Sequence, residues 1–106
     1  MTYQHHNLDG SPLDLPVGKV VCIGRNYLEH IRELNNVTPE TPILFMKPST
    51  SLVALDEPIH LPAGRGECHH EVELAVLVGR ELRNASTETA RQAVAGYGIA
   101  LDLTLR

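Results

Sequence analysis

Two glutamates one residue apart, Glu71 and Glu73, are the first residues whose type and spacing suggest chemistry. They lie in the segment HHEVELAVLVG (69–79), where the alternation of side chains indicates a β-strand, so both carboxylates point to one face. A second alternating segment, GYGIALDLTLR, would bring Asp102 alongside if the two strands pair. Three hard oxygen donors on one face suit Mg²⁺ or Mn²⁺ better than zinc. The sequence therefore predicts a divalent-metal site.

The alternative for these carboxylates is a solvent-facing strand without an ion. Taken alone, an E-x-E pair is more often the exposed face of an edge strand than a metal site. Both strands are apolar on their flanks, however, and a buried carboxylate without a cation, a hydrogen bond or a proton costs several kcal/mol. His69 shares the face of Glu71 and Glu73. It is expected to support the site or to lie at the surface, with a ligand role as the alternative.

A histidine and a glutamate three residues apart, His30 and Glu33, form a second candidate site. The apolar spacing over residues 27–34 predicts a short helix with Asn26 as its N-cap, on which the two side chains are neighbours. The carboxylate can then orient the imidazole and raise its basicity, as a general base requires. The alternative, more common for this spacing, is an exposed ion pair or a histidine beside the apolar stripe.

The turn Gly24-Arg25-Asn26 leads from a predicted strand into that helix. Backbone N–H groups at a helix start, with Arg25 beside them, can hold a carboxylate. The alternative is a Gly24 that only allows the chain to turn. No G-x-G-x-x-G follows the strand, so the turn is not a dinucleotide-binding fingerprint.

Composition narrows the class of protein. The chain has 106 residues and a formal net charge of -4, with 9 basic residues against 13 acidic ones and a single Phe. Nucleic acid is therefore not an expected partner. The sequence has no apolar run of membrane-spanning length and no signal-peptide pattern, so a membrane is not expected either. Its 2 cysteines make neither a disulfide framework nor a zinc-finger spacing, which predicts a cytoplasmic location.

Short strands and two short helices must position these groups. The first 18 residues contain the turn signal Asp9-Gly10 and two prolines, which predict an N-terminal arm or hairpin. The predicted strands cover residues 19–24, 43–47, 69–79 and 97–106, and the predicted helices cover 27–34 and 84–95. No turn, cap or polar tail follows the last strand, so we expect the chain to be a fragment.

Four sequence blocks resemble the fumarylacetoacetate hydrolase family in the same order: KVVCIGRNYLEHIREL, PILFMKPSTSLV, HHEVELAVLVG and GYGIALDLTLR. The similarity is to the short members of the acylpyruvase, oxaloacetate tautomerase and 2-hydroxyhepta-2,4-diene-1,7-dioate isomerase type. It covers nearly all of this chain but only the N-terminal half of such a protein. The resemblance implies an α+β fold, a β-rich mixed β-roll with short peripheral helices. Residues 1–106 would then be the N-terminal part of a single catalytic domain.

The resemblance also implies roles for seven residues. The metal ligands correspond to Glu71, Glu73 and Asp102. The catalytic pair corresponds to His30 and Glu33, on a mobile helix that closes over the bound substrate, and the substrate-binding turn beneath it to Arg25 and Asn26. A family lysine and a G-T-P segment lie beyond this stretch, so we do not expect the fragment alone to turn over substrate.

The function implied by the resemblance is that of an enzyme dependent on Mg²⁺ or Mn²⁺. It would act on small 2-oxo or β-diketo acids through a metal-chelated enolate. The candidate reactions are acylpyruvate C–C hydrolysis, with His30 activating water, oxaloacetate tautomerisation or decarboxylation, and 2-hydroxyhepta-2,4-diene-1,7-dioate isomerisation. The alternative is a non-catalytic relative that binds a small molecule or a metal, and such a protein would not need His30. Family members commonly dimerise, so the expected partners are a small 2-oxo acid and a second copy in a homodimer.

Overall fold

A computed structural model describes residues 2–24 and 41–106 of the chain. The predicted helix over 27–34 falls outside the described residues. The chain divides into two units, Met1–Pro58 and Ile59–Arg106. Among the described residues, each unit has one antiparallel pair of strands.

The first unit begins with a tight turn around Gly10. The Asn7 carbonyl accepts a hydrogen bond from the Gly10 N–H at 3.0 Å, and a β-bridge joins His6 to Pro12. Gly10 has φ +88°, a left-handed value that favours glycine. The Ser11 hydroxyl and N–H donate to the Asp9 carboxylate at 2.6 and 2.9 Å. These two bonds lower the pKa of Asp9, because they stabilise its charged form.

The strand pair of the first unit consists of β1 (Val20–Gly24) and β2 (Ile43–Lys47). Both strands were predicted from short apolar runs, and the bounds of β2 are those expected. The register pairs Val20 with Lys47 at one end and Gly24 with Ile43 at the other. A short 3-10 turn, Ser49–Ser51, follows β2 directly after Pro48.

The second unit consists of β3 (Cys68–Val78), the helix α1 (Thr87–Gln92) and β4 (Val94–Leu105). The two strands pair antiparallel over almost their whole length, with a register shift between Leu77 and Val78. The predicted strand over 69–79 is confirmed to within one residue at each end.

Helix α1 is shorter than the predicted helix over 84–95. Ser86 is its N-cap, as expected, and accepts a hydrogen bond from the Thr89 N–H at 3.2 Å. The helix ends at Gln92 and not at residue 95, because strand pairing takes the last residues of the predicted helix. Val94 pairs with Val78, and the Gly79 N–H donates to the Ala93 carbonyl at 2.8 Å. Cross-strand hydrogen bonds therefore replace the helical ones from Val94 onward.

The β3–β4 pair has two chemically different faces. One face is apolar and stays exposed, with Leu74 and Ile99 directly opposite each other at 64% and 69% exposure. The segment 69–79 turns apolar on both faces toward its end, which predicts a strand that enters the interior, but in the described part of the chain the apolar face stays exposed. Ala93, at 2% exposure, is the buried hydrophobic residue of the described chain. Within residues 2–24 and 41–106, no helix has the length and apolar character needed to cross a membrane.

Candidate metal centre

The second face of the β3–β4 pair carries Glu71, Glu73 and Asp102. Glu71 is directly opposite Asp102 in the antiparallel register. Residues opposite each other share a face, and Glu73 shares it too because it lies two residues further along β3. Each of the three side chains offers an oxygen, and these oxygens all lie within 4.8 Å of one another. The structure therefore brings the three predicted ligands together, on side chains that are half-buried.

The chemistry of this donor set fits a hard divalent cation. Oxygens that bind one Mg²⁺ at about 2.0–2.1 Å lie at most about 4.2 Å apart, so the observed spacing requires only small side-chain movements. Three carboxylates this close repel one another, and a divalent cation offsets that repulsion. Carboxylates favour Mg²⁺ or Mn²⁺ over metals that prefer thiolates. Glu71, Glu73 and Asp102 are thus the residues of the described chain that would hold a metal ion.

Arg106 lies next to this cluster, and the alternation over 97–106 predicts only the face of the strand on which it lies. Its Nη2 atom is 3.5 Å from Oε1 of Glu71, with 43% of the Arg106 side chain and 23% of the Glu71 side chain exposed. The distance is at the limit of a hydrogen bond, so the contact is mainly electrostatic. The signal that could have revealed it is the spacing of Arg106 and Asp102, four residues apart on one alternating face.

His69 is at the outer end of the same face, opposite Thr104. Its Nε2 atom is 3.4 Å from a carboxylate oxygen of the exposed Glu67, an ion pair when the imidazole is protonated. The supporting role expected for His69 stays a prediction.

The remaining predicted site residues are those around the turn after β1. Arg25, Asn26, His30 and Glu33 lie outside the described residues. Their proposed roles in substrate binding and proton transfer therefore stay predictions.

Comparison with known proteins identifies relatives of this chain. The family model described as "Fumarylacetoacetate (FAA) hydrolase C-terminal" matches residues 19–106. The oxaloacetate tautomerase YcgM of Escherichia coli K12 is 58% identical over 104 residues, which cover 98% of this chain and 48% of the relative. A mitochondrial oxaloacetate tautomerase of Bos taurus is 45% identical over 87 residues, covering 82% of this chain and 39% of that protein.

Solved structures show the same relationship. A fumarylacetoacetate hydrolase family protein from Yersinia pestis CO92 matches with a TM-score of 0.92 and 50% identity, over 96% of this chain and 47% of that one. A protein from Oleispira antarctica described as a fumarylacetoacetate isomerase/hydrolase matches with a TM-score of 0.89 and 45% identity, over 98% and 46%. The chain thus spans about half the length of the proteins it matches.

The expected fold class is confirmed by these matches: the chain is strand-rich with one short helix in its described part, and it forms an incomplete domain. The family model covers all strands of both units, and the match to the solved structures extends over nearly the whole chain. This chain belongs to the fumarylacetoacetate hydrolase family.

Proposed function

We propose that this chain provides the metal-binding part of an enzyme that interconverts the keto and enol forms of oxaloacetate. The observation that carries the proposal is the cluster of Glu71, Glu73 and Asp102, with oxygens within 4.8 Å of one another. Relatives named as oxaloacetate tautomerases support the choice of reaction, at 58% and 45% identity.

The chemistry of tautomerisation explains why such a cluster is useful. The reaction moves a proton between C3 of oxaloacetate and the oxygen on C2, so negative charge develops on that oxygen. A divalent cation, when bound, supplies a Lewis acid that stabilises such charge. Glu71, Glu73 and Asp102 would hold the cation on the half-buried face of the β3–β4 pair. Mg²⁺ or Mn²⁺ is the proposed ion, because carboxylate oxygens suit both.

The proton transfer is assigned to residues predicted from the sequence. His30 is proposed as the base that takes and returns the proton, with Glu33 orienting its imidazole. Arg25 and Asn26 are proposed to hold a carboxylate of the substrate. Homodimer formation and a cytoplasmic location also stay predictions, and the Bos taurus relative is mitochondrial by name.

Decarboxylation of oxaloacetate is the second candidate function. A Dictyostelium discoideum relative named as a mitochondrial oxaloacetate decarboxylase is 42% identical over 89 residues. Both reactions develop negative charge on the same oxygen, and they differ in whether a proton or CO₂ leaves C3. Acylpyruvate hydrolysis, isomerisation of 2-hydroxyhepta-2,4-diene-1,7-dioate and a non-catalytic binding role are the further alternatives from the sequence.

The test compares Glu73→Gln with Glu81→Gln in the complete protein. Both variants remove one negative charge, but Glu73 belongs to the carboxylate cluster and Glu81 is an exposed residue after β3. Mn²⁺ binding is measured by titration, and conversion of enol-oxaloacetate by its ultraviolet absorbance. We expect Glu73→Gln to weaken Mn²⁺ binding and to lower kcat/KM by at least about 10-fold, since even loss of a group that only supports a metal ligand costs 10- to 100-fold. Glu81→Gln should match the parent.

Three outcomes would contradict the proposal. If Glu73→Gln kept the Mn²⁺ affinity and the activity of the parent, the proposed metal site would be wrong. Release of CO₂ at the rate of enol loss would favour decarboxylation. Metal binding without any conversion of oxaloacetate would favour another substrate or the non-catalytic alternative.

A further inference from the structure

We propose that Gly66 is a positioning residue for the carboxylate cluster, because its missing side chain lets the backbone of Arg106 come close enough to place the guanidinium beside Glu71. The inference rests on the proposed function, since it takes Glu71 as a metal ligand. It assigns a role to the loop before β3, which has none in the reaction described above.

The loop before β3 holds the end of β4 by two backbone hydrogen bonds. The Arg106 N–H donates to the Glu67 carbonyl at 2.8 Å, and the Glu67 N–H donates to the Arg106 carbonyl at 3.2 Å. This reciprocal pair continues the antiparallel ladder one step beyond Cys68 and Leu105. The backbone position of Arg106 is therefore set by the residues immediately before β3.

Gly66 is the point at which this arrangement tolerates no side chain. It has φ +94°, and a Cβ atom built there would lie 2.7 Å from the Arg106 carbonyl oxygen and 3.6 Å from its carbonyl carbon. A carbon so close to a backbone oxygen forces one of the two backbones to move. Because the contact is with main chain and not with the end of a flexible side chain, and because Glu67 is hydrogen-bonded to Arg106, we expect either movement to change the position of Arg106 relative to β3.

A displacement of Arg106 affects Glu71 because the distance between their side chains is already at the upper limit for a hydrogen bond. The guanidinium Nη2 atom is already 3.5 Å from Oε1 of Glu71. Moving it outward by a few tenths of an ångström takes the pair beyond hydrogen-bond distance. The guanidinium would then no longer fix the Glu71 carboxylate by a hydrogen bond, and it would counteract the repulsion from Glu73 and Asp102 less strongly. Loss of a group that orients a metal ligand typically weakens metal binding about 10- to 100-fold.

Gly64 provides a matched control in the same loop. It also has a left-handed backbone, with φ +69°, but a Cβ atom there meets nothing within 4 Å. Alanine at either position therefore carries strain from a positive φ, and alanine at position 66 alone adds the clash with Arg106. The difference between Gly66→Ala and Gly64→Ala therefore measures the effect of the clash with Arg106.

The experiment uses the complete protein and measures Mn²⁺ affinity, Tm and kcat/KM for oxaloacetate. We expect Gly66→Ala to weaken Mn²⁺ binding about 10-fold and Gly64→Ala to change it less than about twofold. Both changes are then repeated in an Arg106→Gln background, as a double-mutant cycle. There, Gly66→Ala should still lower the Tm, since the clash involves the backbone of residue 106. Its effect on Mn²⁺ affinity should disappear, since no guanidinium remains to be displaced.

The outcomes separate this inference from the proposed function. Equal Mn²⁺ affinities of Gly66→Ala and Gly64→Ala, or an affinity loss that persists with Arg106→Gln, would overturn the role of Gly66 and leave the metal site intact. A parent protein that neither binds Mn²⁺ nor converts oxaloacetate would overturn both. If Gly66→Ala is too unstable to titrate, the pair Gly66→Asn and Gly64→Asn repeats the comparison with less strain, because Asn tolerates positive φ better.

Discussion

Asp102 is the member of the carboxylate cluster that comes from β4, so the cluster depends on the register in which β3 and β4 pair. Its partner across the strands is Glu71, and the next residues along β4, Leu101 and Leu103, belong to the opposite face. A slip of one residue would move Asp102 to the apolar face and bring a leucine beside Glu71. The separation of apolar and acidic residues thus specifies both the register and the site.

At this scale we predict that Asp102→Asn reduces the stabilisation of the complete protein by Mg²⁺. Asparagine keeps one oxygen but loses the charge, so binding should weaken about 10-fold. An ion at 100 times Kd stabilises the parent by about 2.7 kcal/mol, and the same concentration would stabilise the variant by about 1.4 kcal/mol. The measurement is the rise in Tm between metal-free samples and samples at that Mg²⁺ concentration. Asp56→Asn, at an exposed residue of the first unit, is the control and should keep the full rise.

At the scale of elements, the sequence predicted those features that depend on residues close together in the chain. The apolar run 43–47 gave β2, and alternation over 69–79 gave β3 together with the face shared by Glu71 and Glu73. The end of α1 could not be predicted, because Val94 is in a strand only through its pairing with Val78. The contact of Gly66 with Arg106 was equally hidden, since it depends on the distance between two backbones 40 residues apart in the sequence.

The N-cap of α1 gives a prediction at this scale. The Ser86 side chain accepts from the Thr89 N–H at 3.2 Å and donates to the Thr89 hydroxyl at 3.0 Å. Ser86→Ala leaves that N–H without its capping partner and should lower the free energy of unfolding by about 1 kcal/mol, measured by urea denaturation. Ser86→Asp, which can still cap, should stay close to the parent. An equal loss in both variants would show that the cap contributes little.

At the scale of the whole molecule, the described chain leaves much apolar surface uncovered. Val72 and Leu74 on β3 are 63% and 64% exposed, and Tyr97 and Ile99 on β4 are 70% and 69% exposed. An isolated two-stranded pair is at best marginally stable in water, because one face of a hairpin buries little area. In the part of the chain that the structure describes, the sheet of each unit has two strands. Burial of side chains within residues 2–24 and 41–106 therefore contributes little to stability.

We therefore predict that a polypeptide of residues 1–106, produced by itself, binds the dye 8-anilinonaphthalene-1-sulfonate (ANS) and unfolds without a sharp transition. Contiguous apolar patches bind this dye, whereas single exposed apolar residues do not. Leu74→Thr combined with Ile99→Thr interrupts the centre of the patch, since these residues face each other across the strands. The double variant should lower ANS fluorescence about twofold or more. Leu8→Thr, at a fully exposed residue of the N-terminal turn, should leave it unchanged. A weak ANS signal in the parent polypeptide, or equal signals in all three proteins, would mean that the apolar face is covered in solution.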